Sequence, residues 1–277
     1  MKKRIATIAA ALTVGLVAGC GGGESTPAAQ STVSGAVADG YLVGATVFLD
    51  KNGDYRLDSG EPSAITDATG AYTLTVDPAD VGLYPIVALA IKDVTVDLDA
   101  PDQKIAYSYI LSLPKESVSG TVGSNFISPM STQIRELLAT GNYTMTQAMD
   151  ELRARLGLPD GVNVMTDYMA RPNDASFASM HDSARNMAGL MGGQMAQVFG
   201  ANGETVDVNR YRGMMGAIFS DISSVRGSNP TSQTAMLELR ETMMAELPTI
   251  TPGLPFMNMS TAFRGGMTGR GGSMMGR

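Results

Sequence analysis

Hydrophobic and polar positions change their period once along this chain. At 33–37, 45–49, 71–76, 86–91 and 105–111 the apolar residues fall in short runs of β-branched and aromatic type, separated by turn clusters such as Asp39-Gly40 and Asp67-Ala68-Thr69-Gly70. Several short strands at this spacing predict a β-sandwich. Near 117–124 the composition turns to Gly and Ser, and beyond it the period becomes about 3.6, that of amphipathic helices. Ser128-Pro129 is a helix start, with Ser as cap and Pro at the first helical position. Thr144-x-x-Gln147 forms a capping box ahead of Met145, Ala148, Met149, Leu152 and Leu156 on one face, and Gly157 ends that helix. A long helix is predicted over 174–199, with a stripe that includes Phe177, Met180, Ala184, Met187, Met191 and Met195. Tyr211, Met214, Met215, Ile218 and Phe219 mark another, and Asn229-Pro230 caps a last one with Met236, Leu239, Met243 and Leu247 inward. The expected fold class is α+β: a β-sandwich over 33–116, then a separate small helical bundle over 125–248.

One loop changes this picture from architecture to chemistry. Asp50, Asn52, Asp54, Asp58 and Glu61 stand at positions 1, 3, 5, 9 and 12 of a twelve-residue stretch, with the Arg56 carbonyl at position 7. Calcium takes six to eight oxygens, and a loop that wraps it offers side chains at alternate positions, a backbone carbonyl and a terminal bidentate carboxylate. The sixth position, where such loops place glycine, is Tyr55, and the glycine comes earlier as Gly53. The loop follows the strand-like run 45–49 rather than a helix, so a strand-framed site is expected. A solvated acidic turn is the plain alternative, because Asp, Asn and Gly populate turns for their own reasons. Four carboxylates so close repel one another without a counter-ion, so calcium-dependent stability is the expectation.

The run over 45–74, ATVFLDKNGDYRLDSGEPSAITDATGAYTL, resembles the B-type repeats of bacterial surface adhesins and the related carboxypeptidase-regulatory-like β-sandwiches. The shared features are the strand, then D-x-N-x-D-x-x-x-D-x-G-E-P, then the T-D-A-x-G-x-Y strand. The resemblance implies a small prealbumin-like sandwich with structural calcium in the loop, serving as a stalk or binding module rather than an enzyme. A second passage, over 127–158, resembles in architecture alone a segment that follows such modules in exported bacterial lipoproteins, and it carries no catalytic motif.

The ends of the chain say where such a module would live. Residues 1–19 have a basic start at Lys2, Lys3 and Arg4, an apolar centre and small residues before Cys20, the sole cysteine. This reads as an export signal, too short to span a bilayer. Leu16-Val17-Ala18-Gly19-Cys20 resembles the bacterial lipobox, which implies acylation of Cys20 and a membrane anchor. Gly21 in place of Asp implies, by resemblance to the enterobacterial sorting rule, the outer membrane. Residues 20–32 read as a flexible tether and 249–277 as a disordered Gly/Met/Arg tail. Removal of Lys2, Lys3 and Arg4 takes the net charge from −7 to −10, a poor surface for nucleic acid.

Three functions follow for comparison. The first is a non-enzymatic cell-envelope lipoprotein, a calcium-stabilised module presenting a surface to a protein or polysaccharide partner. The second is periplasmic copper handling, because thioethers suit Cu(I) and Met187, Met191 and Met195 repeat every four residues, with Met180-His181 before them and Met257 and Met259 in the tail. Core packing explains the same stripe more simply. The third is a hydrolase built on His181, the only histidine, beside Asp182, but no nucleophile motif accompanies it. The first accounts for most of the sequence. Asp93, Asp97, Asp99 and Asp102 lack metal-ligand register and read as a solvated strand edge.

Overall fold

The computed structural model describes residues 29–120, 124–199, 205–227 and 229–250. Strands β1 (Ser31–Ala36), β2 (Leu42–Val43), β3 (Thr46–Leu49), β4 (Ser63–Ile65), β5 (Ala71–Val76), β6 (Ile86–Ala90), β7 (Val96–Asp97) and β8 (Tyr109–Leu113) come first in the chain. Helices α1 (Pro129–Ala139), α2 (Met145–Arg155), α3 (Ala175–Val198), α4 (Val208–Ser220) and α5 (Pro230–Glu246) follow, so the chain is α+β.

The described strands pair antiparallel, and one isolated parallel bridge joins Val37 to Ile127. β1 and β5 form a ribbon with Val33 opposite Leu74, while β4-β3-β6-β8 form a four-stranded sheet and β2 pairs with β7. In β5 the period of two is plain: Tyr72, Leu74 and Val76 are buried while Thr73 and Thr75 face out. β8 breaks the alternation, with all five residues buried, as a strand covered on both faces should be. It also begins four residues later than the run at 105–111 predicts.

Helices cover the free edge of β8. Thr132 Oγ1 accepts from Ser112 N at 2.9 Å, Ser131 Oγ donates to Ser112 O at 2.6 Å, and Tyr211 Oη donates to Ile110 O at 3.0 Å. Side chains of α1 and α4 thus supply the partners that a further strand would give, and the exposed edge is removed. The cost is that α1 is buried through Leu137, polar residues included. The helices expected to stand apart as a separate bundle are therefore laid on the sheet, and the buried side chains of strands and helices make one continuous core. The change of period at 117–124 marks a change of element type, across which this core runs on.

The helix boundaries follow their caps. Ser128 and Ser131 make a reciprocal box on α1, Thr144 and Gln147 another on α2, and Asp174, Asp207 and Asn229 cap α3, α4 and α5. Asn125, fully buried, joins the stretch leading into α1 to the ribbon: its side chain donates to Ser34 O and Ser119 O, and its carbonyl accepts from Tyr72 Oη. Gly35 makes that contact possible, since a Cβ there would lie 1.9 Å from Asn125 O. No described helix is long and apolar enough to cross a membrane.

Candidate metal centre

The loop between β3 and β4 turns through three residues of positive φ, Gly53 at 78°, Tyr55 at 63° and Gly60 at 92°. The second is uncommon for a residue with a Cβ. Its compensation lies beneath the loop. The Tyr55 ring is buried against Tyr211, centroids 4.6 Å apart, and under the Arg135 guanidinium at 4.2 Å, while its hydroxyl donates to Glu136 Oε1 at 2.5 Å. Burial holds this phenol well above its ordinary range, so it donates as a neutral hydroxyl. Tyr55 therefore has the backbone turn that glycine would supply and uses its side chain to plug the loop into the core.

Three of the expected ligands come together. Asn52 Nδ2 sits between Asp54 Oδ2 at 3.1 Å and Asp58 Oδ2 at 2.8 Å. An amide donor between two carboxylates occupies a point that demands positive charge. Turning that amide over, at the expense of the bond its Oδ1 accepts from Asp54 N at 3.1 Å, would present Oδ1 there, and three oxygens would then face one centre, a donor set that fits a hard cation. Asp54 Oδ1 accepts from Arg56 N at 2.9 Å, which folds the chain around that centre.

The other expected ligands are engaged elsewhere. Glu61 closes the loop by accepting from Lys51 N at 2.7 Å and Asp58 N at 2.9 Å. Asp50, fully buried, accepts from Gly53 N on Oδ1 and from Arg135 Nη2 on Oδ2, both at 2.8 Å. Arg56 contributes its side chain as well as its backbone, with Nε 3.8 Å from Asp58 Oδ1. The loop as it stands holds no group of three or more His, Cys, Asp or Glu side chains gathered for a metal, and neither do the other described residues. Cys20 lies outside the described residues.

Sequence reasoning missed the charges under the loop. Glu136, fully buried, also lies 3.4 Å from Arg212 Nε, so Asp50, Arg135, Tyr55, Glu136 and Arg212 form one chain from the loop through α1 to α4. Nothing in Ile134-Arg135-Glu136 marks those charges as interior, since charged residues are rarely buried unless paired.

Two further expectations meet different surroundings. His181 is held rather than solvated: Nε2 is 2.7 Å from Asp99 Oδ2, and the ring stacks on Tyr168 at 5.9 Å. Asp99 also pairs with Arg185 at 3.2 Å, so the expected free acidic edge is in part a contact with α3. Met180, Met187, Met191 and Met195 are buried in the core, while Met257 and Met259 lie outside the described residues.

No match was found. Comparison with protein-family models, curated proteins and solved structures gives no relative of this chain.

Proposed function

We propose that this chain is a non-enzymatic, lipid-anchored module of the bacterial cell envelope, with a calcium-stabilised front half that presents a surface to a protein or polysaccharide partner. The observation carrying this reading is the convergence of Asn52, Asp54 and Asp58 on one point, in a loop wired to the helices. Calcium there would be held by these three, with Asp50 Oδ1, the Arg56 carbonyl and Glu61 completing the shell. Its chemistry would be charge neutralisation, which lets the acidic loop close against the core. The ribbon β1–β5 and the four-stranded sheet would be the two faces of a prealbumin-like sandwich, and acylated Cys20 would hold the module on the outer membrane.

Thermal melts of the delipidated protein in calcium and in chelator test the first part. A ligand at a hundred times its Kd stabilises by about 2.7 kcal/mol, which for a domain of this size raises Tm by about 5–10 °C. The shift should vanish in Asp54→Ala and Asp58→Ala. Superimposed wild-type melts would end the calcium reading. Fatty-acid labelling of wild type against Cys20→Ala tests the anchor, and equal labelling of the two would remove it.

A further inference from the structure

Asn52-Gly53 is one of two Asn-Gly pairs in the sequence, the other being Asn202-Gly203 outside the described residues. Asparagine is a chemically labile residue, and a glycine after it leaves the main-chain nitrogen without a Cβ to hinder ring closure onto the side chain. Such a pair is also an ordinary turn former. What separates this one is its surroundings. Asn52 is exposed, and a Cβ built on Gly53 would have nothing within 4 Å, so there is room for a ring to form.

Four hydrogen bonds arrange the reacting groups. Asn52 Oδ1 accepts from Asp54 N at 3.1 Å, so a main-chain donor already meets the oxygen on which negative charge develops when Cγ is attacked. Gly53 N, the attacking atom, donates to Asp50 Oδ1 at 2.8 Å, which draws on the proton it must lose. Asn52 Nδ2, the leaving nitrogen, donates to Asp54 Oδ2 at 3.1 Å and to Asp58 Oδ2 at 2.8 Å. Nucleophile, carbonyl and leaving group are each held by a partner of their own, and such orientation is what lowers the barrier of an intramolecular reaction.

We infer that Asn52-Gly53 is a site of self-modification, at which the loop turns its amide into a carboxyl. A bond forms from Gly53 N to Asn52 Cγ and the Cγ–Nδ2 bond breaks, the nitrogen leaving as ammonia with the proton that Gly53 gives up. Water then opens the cyclic imide, adding hydroxyl to one carbonyl carbon and hydrogen to the ring nitrogen, and aspartate or isoaspartate stands at position 52. In the aspartate product one oxygen keeps the bond from Asp54 N, and the other takes the place of Nδ2 between Asp54 and Asp58. Three carboxylates at one point repel one another until a cation enters. That consequence rests on the calcium reading, whereas the modification itself does not.

Incubation of the full chain in chelator at neutral pH, native and unfolded in guanidinium, tests the assignment, with the tryptic peptide 52–56 followed by mass and chromatography. Asn52 should convert about tenfold faster in the native loop than in the unfolded chain, where Asn202-Gly203 supplies the rate of a pair without surrounding structure. A native rate equal to or below the unfolded one overturns the inference. Thermal melts of Asn52→Asp keep the two readings apart. A calcium-induced rise in Tm larger than that of the wild type is expected, and an equal rise would overturn the claim that conversion adds a ligand. Conversion at Asn52 with no calcium effect on either protein would end the calcium reading and leave the modification standing.

Discussion

Tyr55 stands where a metal loop ordinarily has glycine, and it accepts the left-handed backbone, at a cost of about 1–2 kcal/mol for a residue with a Cβ. Burying its ring returns a similar or larger amount, about 1.5–3 kcal/mol. The sequence shows the departure from the motif but not its compensation, because the pocket is made by Tyr211 and Arg135, 156 and 80 residues further on. Asp39 ties stability to pH. Burial, then the Asp97 charge, raises its affinity for protons well above that of an ordinary carboxyl, and Asp99 adds to this. Such a group binds its proton more tightly folded than unfolded, so its stabilising contribution is complete below the unfolded value of about 3.9 and fades as pH rises through the folded one. The charged groups around it, Asp97, Asp99, Arg185, His181 and Lys104, are unchanged by substituting Asp39 alone. In melts from pH 4 upward without ligand, Asp39→Asn should therefore gain on the wild type as the pH increases. A difference in Tm that stays constant with pH would contradict this.

Elements are legible in proportion to how local their causes are. The starts of α1, α2 and α5 are read from the caps at Ser128, Thr144 and Asn229, and the stretch predicted for α3 opens on its cap Asp174, since a cap acts within three residues; Asp207, which caps α4, is not marked by the pattern. β2, β4 and β7, of two or three residues each, exist only because a neighbour pairs with them, and no period can be read from so few positions. The pattern starts β8 too early because Ile105, Ala106 and Tyr107 continue the apolar run without joining the sheet. Gly35 reads as one of many glycines, yet it is where the stretch leading into α1 lies against β1. An alanine methyl there would meet the Asn125 carbonyl oxygen at 1.9 Å, and neither backbone can retreat without loosening the buried hydrogen bonds of Asn125. Gly35→Ala should lower stability by about 1–3 kcal/mol, the usual cost of overpacking, read from urea unfolding. Gly141→Ala serves as the control for backbone strain alone, because Gly141 has a positive φ of 73° but nothing within 4 Å of an added methyl. Equal losses at the two sites would mean that contact with Asn125 is not the cause.

At the scale of the whole molecule, the change of hydrophobic period suggests two cores, and the structure has one because α1 serves both halves. Its apolar residues fill the interior while Arg135 and Glu136 reach the loop at Asp50 and Tyr55. That arrangement makes the loop and the helices mutually dependent, and Arg135 is the residue through which the dependence can be measured. Arg135→Gln leaves Asp50 buried without its cation, a loss of about 3–5 kcal/mol when one partner of a buried pair is removed. If Asp50 is also a calcium ligand, the ion can neutralise it in the variant, where its second oxygen is released from the guanidinium. The calcium-induced rise in Tm should then be larger in Arg135→Gln than in the wild type, and the added rise should disappear when Asp50→Asn is combined with it. A loop that binds calcium without Asp50 would show the same rise in both proteins, and a loop that binds none would leave the variant equally weak with calcium or chelator.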